Sequence, residues 1–128
     1  MGYQQSALIE VRQAGKKGRG VFARKRIGKG GLIERVPVVV MKVSEIFSPG
    51  PRVTLADYVF SWGRGKVAFS CGYGALYNHS YEPNAVYYSS GLRTQVFVAL
   101  RDIKAGEEIT VNYSGAPNRR WKVAFTPV

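Results

Sequence analysis

The chain has 128 residues, long enough for one domain with a sizeable core and too short for two. Apolar residues make up 45% and charged residues 21%, a balance that excludes a disordered chain. Nineteen Lys and Arg against eight Asp and Glu give a net charge of +11, which points to nucleic acid or a nucleic-acid-bound protein as company, with solubility as the plainer explanation.

In chain order, Met1-Gly2-Tyr3-Gln4-Gln5-Ser6 has no apolar signal core, and no run approaches membrane-spanning length. The expectation is an intracellular, soluble protein without membrane contact. Gly2 and Ser6 fit only a loose N-myristoylation pattern. Ala7 to Val11, Val36 to Val43, Val67 to Cys71, Val86 to Tyr88 and Gln95 to Leu100 are short, β-branched or aromatic, and bounded by turn formers, so they read as strands. Ser44 to Arg52, with two prolines and a glycine, reads as a surface loop. Thr54-Leu55-Ala56-Asp57 matches a capping box and predicts a helical turn. Gly63-Arg64-Gly65-Lys66 predicts a hairpin turn. No stretch sustains a 3.6-residue apolar period, and the expected fold is mostly β, built of short, strongly bent sheets.

One internal repeat stands out. Ala23 to Glu34 (ARKRIGKGGLIE) matches Ala99 to Thr110 (ALRDIKAGEEIT), 76 residues further on. Each copy has an apolar strand, a polar turn and a second strand, with Gly30 and Gly106 where a positive φ is easiest. Two such units predict a pseudo-symmetric β core.

Three segments place polar groups beside apolar ones, as chemistry requires. Gly18-Arg19-Gly20 lets the backbone approach a ligand closely and present its N–H groups, but it lacks the third glycine of a dinucleotide fingerprint and no phosphate-loop pair follows. Asn78-His79-Ser80 carries the single histidine, which has no second His or Cys at metal-ligand spacing and no nucleophile-elbow serine nearby. Glu107 to Tyr113 is a strand ending in Asn112-Tyr113, which can put a phenol at a pocket edge or simply on the core. The lone cysteine, Cys71, excludes an intrachain disulfide and a Cys-rich zinc module; a small buried apolar role is its default.

In this order the segments resemble the SET-domain family of protein lysine methyltransferases. Gly18 to Ala23 is similar to its first Gly-x-Gly motif, Asp57-Tyr58 to its central tyrosine motif, Tyr77 to Asn84 to its Asn-His-Ser core, and Glu107 to Tyr113 to its closing tyrosine motif. The closest look is of compact, stand-alone SET proteins of large viruses and bacteria, which would mean a bacterial cytoplasm or a host nucleus. The resemblance implies a β-clip fold of small curved sheets with a knot-like C-terminal crossing. It implies S-adenosylmethionine as cofactor and in-line methyl transfer to a neutral lysine amine, with no metal. Gly18, Arg19, Gly20, Asn78 and His79 would hold the cofactor, and Tyr113 and Tyr58 would line the methyl-transfer channel as catalytic tyrosines. Two residues before Tyr113 the family often has Phe or Tyr; here Val111 would line the channel and leave room for more than one methyl. Without zinc modules, the tail Ser114 to Val128 would close the cofactor pocket, with Trp121 or Phe125 over the adenine.

Residues 12–35 hold nine Lys or Arg against the single acid Glu34. A free histone tail is itself cationic, so this face would favour a DNA-wrapped or RNA-bound acceptor, and a histone lysine in chromatin is the leading expectation. A nonenzymatic basic β-barrel that binds nucleic acid through its aromatics would explain the charge but not the motifs. A catalytically inactive SET-like or β-clip domain would keep the motifs without turnover.

Overall fold

The computed structural model describes residues 2–115. Among the described residues there are nine strands: β1 (Ile9–Gln13), β2 (Arg19–Ala23), β3 (Leu32–Lys42), β4 (Val59–Ser61), β5 (Lys66–Ser70), β6 (Asn78–His79), β7 (Ala85–Ser89), β8 (Thr94–Ala99) and β9 (Glu108–Val111). They form a five-stranded sheet in the order β4-β5-β3-β8-β7 and a four-stranded sheet in the order β1-β2-β9-β6. The mostly β, curled architecture agrees with the sequence reading.

The strand β3 organises the larger sheet. Its first half, Leu32 to Pro37, pairs with β8, and its second half, Val38 to Lys42, pairs with β5. Pro37, which has no N–H to donate, sits where one ladder gives way to the other. The sheet curls so far that its two edge strands meet side chain to side chain: Phe60 of β4 lies edge-on to Tyr87 of β7, with ring centroids 4.8 Å apart. The hairpin tips are tied as well, because the Trp62 indole N–H donates to the Leu92 carbonyl at 3.1 Å.

The predicted repeat is real in space. Ile27 and Ile103 exchange both backbone hydrogen bonds, at 2.9 and 2.8 Å. Around that pair the copies clasp each other: Ala23 bonds to the turn at Gly106 and Glu107, and Ala99 bonds to the turn at Gly30 and Gly31. Gly30 and Gly106 have φ of +80° and +87°, conformations costly for a residue with a Cβ. Ile27, Ile103, Val21, Ile33, Phe97 and Ile109 fill the core between the copies.

Two local expectations need correction. Thr54–Asp57 is a 3₁₀ turn, but no side chain caps it; Asp57 instead accepts from the Arg52 guanidinium at 2.7 Å. The supposed loop from Ser44 begins inside a one-turn helix, Val43–Ile46, whose start is held by the Lys42 N–H donating to Glu45 Oε2 at 2.8 Å. A neighbouring donor took the carboxylate in the first case, and a nearby acceptor fixed the helix start in the second.

Truncating Ile103 tests the clasp. It is fully buried at the pseudo-symmetric centre, so Ile103→Ala should cost about 2–5 kcal/mol of stability, read from the midpoint of urea unfolding at unchanged slope.

Candidate active site

Strand β9 brings the separated motifs together. It pairs antiparallel with β2 on one edge (Val21↔Ile109) and parallel with β6 on the other (Asn78↔Thr110, His79↔Val111). The glycine segment and the Asn-His pair, about 60 residues apart in sequence, therefore flank one strand. Asn84 reinforces it from the side: its amide donates to the Glu108 carbonyl at 2.8 Å and accepts from the Thr110 N–H at 2.9 Å, as a further strand would.

On one side of β9 the groups are charged. Asn78 Nδ2 donates to the Arg19 carbonyl at 3.0 Å and to Glu108 Oε2 at 2.7 Å, while the Lys17 ammonium lies 2.5 Å from Glu108 Oε1. Gly20 is buried against this group, and a Cβ there would come within 2.5 Å of Glu108 and 2.8 Å of Asn78. Beside it Gly18, at φ +78°, meets nothing within 4 Å of a would-be Cβ. Arg19 contributes its carbonyl to the contact, and the residue is exposed.

Past the C-terminal end of β9 the surroundings are aromatic. A cleft of about 610 Å³ is lined by Tyr58, Trp62, Tyr77, Tyr87, Tyr88 and Tyr113, with Gln95 and Gly74 among its other walls. Tyr113 connects the two groups. Its N–H donates to His79 Nδ1 at 3.0 Å, and its hydroxyl donates to the Tyr77 carbonyl. Burial, reinforced by Tyr87 and Tyr58, pushes the Tyr113 phenol up to about 12, so it stays protonated at any physiological pH. Tyr77, stacked on Phe97 at 4.5 Å, donates to the buried carboxyl of Glu34 at 2.9 Å, and Glu34 also accepts from the Tyr73 N–H at 2.8 Å. Burial raises Glu34 above the ordinary carboxyl value, despite those two bonds.

Tyr113 and Tyr58 thus share the cleft, and Gly18, Gly20, Asn78 and His79 gather on and beside the strands that flank β9. Val111 is a correction. Its side chain is fully buried in the core and does not line the cleft, because alternation along β9 turns it inward with Ile109. Trp121 and Phe125 lie outside the described residues. Sequence reasoning missed Tyr87, Trp62, Tyr88 and Gln95 as cleft walls, and Lys17 and Glu108 as the charged pair. The aromatic strand Val86-Tyr87-Tyr88 was legible; which face it turned to the cleft was not.

The chain is similar to known proteins in both sequence and fold. The family model for the SET domain matches residues 18–114. A Schizosaccharomyces pombe protein named "Histone-lysine N-methyltransferase, H3 lysine-37 specific" is 35% identical over 107 residues, spanning 82% of this chain and 72% of that protein. A Plasmodium falciparum crystal structure described as a "putative histone methyltransferase" superposes with a TM-score of 0.71 at 30% identity, covering 86% of this chain and 94% of that one.

His79 is a built-in test of the junction. Burial lowers its pKa below 6.5, and the Tyr113 N–H occupying Nδ1 acts in the same direction by favouring the neutral ring. Below 6.5 the unfolded chain therefore binds more protons than the folded one, so stability present above 6.5 is lost as pH falls through that window. Because the chain has a single histidine, proton NMR should show its midpoint below 6.5, with the unfolding free energy declining over the same range.

Proposed function

The chain belongs to the SET-domain family and is a protein-lysine N-methyltransferase, and from that premise we propose that it methylates a histone lysine with S-adenosylmethionine as donor. The observation that carries this reading is the gathering of a charged cluster beside β9 and an aromatic cleft past its end, with Tyr113 between them. A cation, a carboxylate and an amide at Lys17, Glu108 and Asn78 suit the ammonium and carboxylate of an amino-acid moiety, and the Gly18–Gly20 backbone leaves room for close approach. These residues, with His79, would hold the cofactor. When bound, S-adenosylmethionine supplies an electrophilic methyl on a cationic sulfonium.

The residues of the cleft do the rest. A free lysine has a pKa near 10.4, so only about 1 in 1,000 is neutral at pH 7.4. Walls of Tyr58, Tyr87, Tyr88 and Trp62 desolvate the ammonium and lower that pKa, because burial disfavours the charged form. Tyr113 serves by orientation rather than by taking the proton: a phenol at about 12 is too weakly acidic to act as an anionic base. Its hydroxyl is held by the Tyr77 carbonyl and its backbone by His79, which supports alignment of the amine as the source of rate. With Val111 in the core, the room for additional methyls is set by the hydroxyls of Tyr58 and Tyr87 instead.

The histone acceptor rests on the name of the fission-yeast relative and on the basic exterior. Arg24, Lys25 and Lys29 are exposed and enter no ion pair among the described residues. Such a face suits a histone wrapped in DNA.

Incubation with labelled cofactor and separate pools of free histone H3, nucleosomes and lysate tests the reading. Label should enter histone lysine, more in nucleosomes than in free H3 at low salt; equal rates would remove the nucleic-acid argument. Tyr113→Phe should lower kcat at least 100-fold while the far-UV circular dichroism stays unchanged. Gly20→Ala, which forces Glu108 and Asn78 aside, should weaken calorimetric S-adenosylmethionine binding about tenfold or more.

A further inference from the structure

Strand β8 places one side chain in the cleft that no methyl-transfer role accounts for. Gln95 is 1% exposed, and its Oε1 is buried with no hydrogen-bond partner among the described residues. It faces Ser89 across the β7–β8 ladder, two pairs outward from Tyr87 and Phe97, and both Ser89 and Gln95 line the cleft. The neighbouring Thr94 hydroxyl is engaged elsewhere, with Tyr3 at 2.6 Å, as strand alternation requires.

A buried amide oxygen without a donor is destabilising, and buried polar groups in native proteins are otherwise almost always paired. An apolar residue of similar volume would pack the same space without that cost. The missing donor must then come from whatever fills the cleft. A peptide bearing the acceptor lysine brings such donors, namely its backbone amides and the N–H groups of its side chains.

We infer that Gln95 is a specificity-determining residue, whose Oε1 accepts a hydrogen bond from an amide or side-chain N–H of the substrate peptide beside the target lysine. This rests on the proposed reading of the cleft as a lysine-peptide site. Tyr113 and its neighbours act on any amine that reaches them, whereas Gln95 discriminates among the peptides that deliver one, since a peptide without the matching donor leaves the buried oxygen unpaired.

The test uses Gln95→Leu in the full chain, with peptides tiling histone H3 as probes. Binding is measured by calorimetry, methyl transfer by mass spectrometry and stability by thermal unfolding. Expected are a Tm equal to or above the wild type, unchanged S-adenosylmethionine affinity, and about tenfold weaker binding of the best peptide, appearing in KM more than in kcat. A residue of purely structural importance would instead lower Tm and leave peptide affinity alone. Alanine substitution along that peptide identifies a side-chain donor, and backbone N-methylation identifies a main-chain one. Undiminished affinity in Gln95→Leu overturns the inference, as does a wild type that binds no H3 peptide. A wild type that binds peptide without methylating it counts against the histone-lysine reading alone, and the Gln95 contact is then decided by the two dissociation constants.

Discussion

Everything in this molecule that resembles a catalytic centre depends on the insertion of β9 between β2 and β6. Four residues, Glu108 to Val111, carry hydrogen bonds on both edges, and the Asn84 amide adds two more. The strand is anchored by Ile109 and Val111, both fully buried, each worth about 1.5–3 kcal/mol of apolar burial. Its alternate residues face outward, where Glu108 meets Lys17 and Asn78. One short strand thus joins the glycine backbone, the Asn-His pair and the terminal phenol. Without it these groups would have no common neighbour.

The clasp between the two repeated units explains how so short a strand is held in register. Because Ile27 and Ile103 exchange both hydrogen bonds, the turn before β9 and the turn before β3 are locked against each other before either strand begins. Glu107 adds to the lock: its carboxylate accepts from the Arg101 guanidinium, the Lys104 N–H and Asn84, and these bonds hold it below the usual carboxyl range. The arrangement has a kinetic consequence. β9 comes late in the chain and pairs with β2 near its start, so the site forms only through a contact of very long sequence separation, the slow kind in folding.

The charged cluster beside β9 and the cleft past its end differ in a way that suits their proposed tasks. The charged side keeps a cation and a carboxylate in contact with the backbone, as a zwitterionic ligand needs. The cleft is lined by Asp57, whose carboxylate is paired with the Arg52 guanidinium, while burial keeps the Tyr113 and Tyr77 phenols protonated. Desolvation by the aromatic walls favours the uncharged form of an amine. Beneath it, Glu34 holds Tyr77, whose carbonyl holds the Tyr113 hydroxyl, so the reacting end of the cleft is buttressed from the core.

Much of this was legible in the residues themselves. The positions of β1, β3, β5, β7, β8 and β9, the hairpin at Gly63–Lys66 and the paired turns at Gly30 and Gly106 followed from local chemistry, because β-branching, glycine conformation and alternation act over a few residues; β2, β4 and β6 did not. The order of Gly18-Arg19-Gly20, Asn78-His79 and Tyr113 likewise carried the family resemblance. What the chain order left open was which face each strand presents. Val111 and Tyr113 are two residues apart, yet one is sealed in the core and the other ends the strand at the cleft. Tyr87, Trp62 and Gln95 carry no motif, and they become cleft walls only because the larger sheet curls until its edges meet. Local propensity sets where a strand forms; its neighbours, its register and the side chains it exposes come from contacts across the whole chain, and those exist only once the fold has closed.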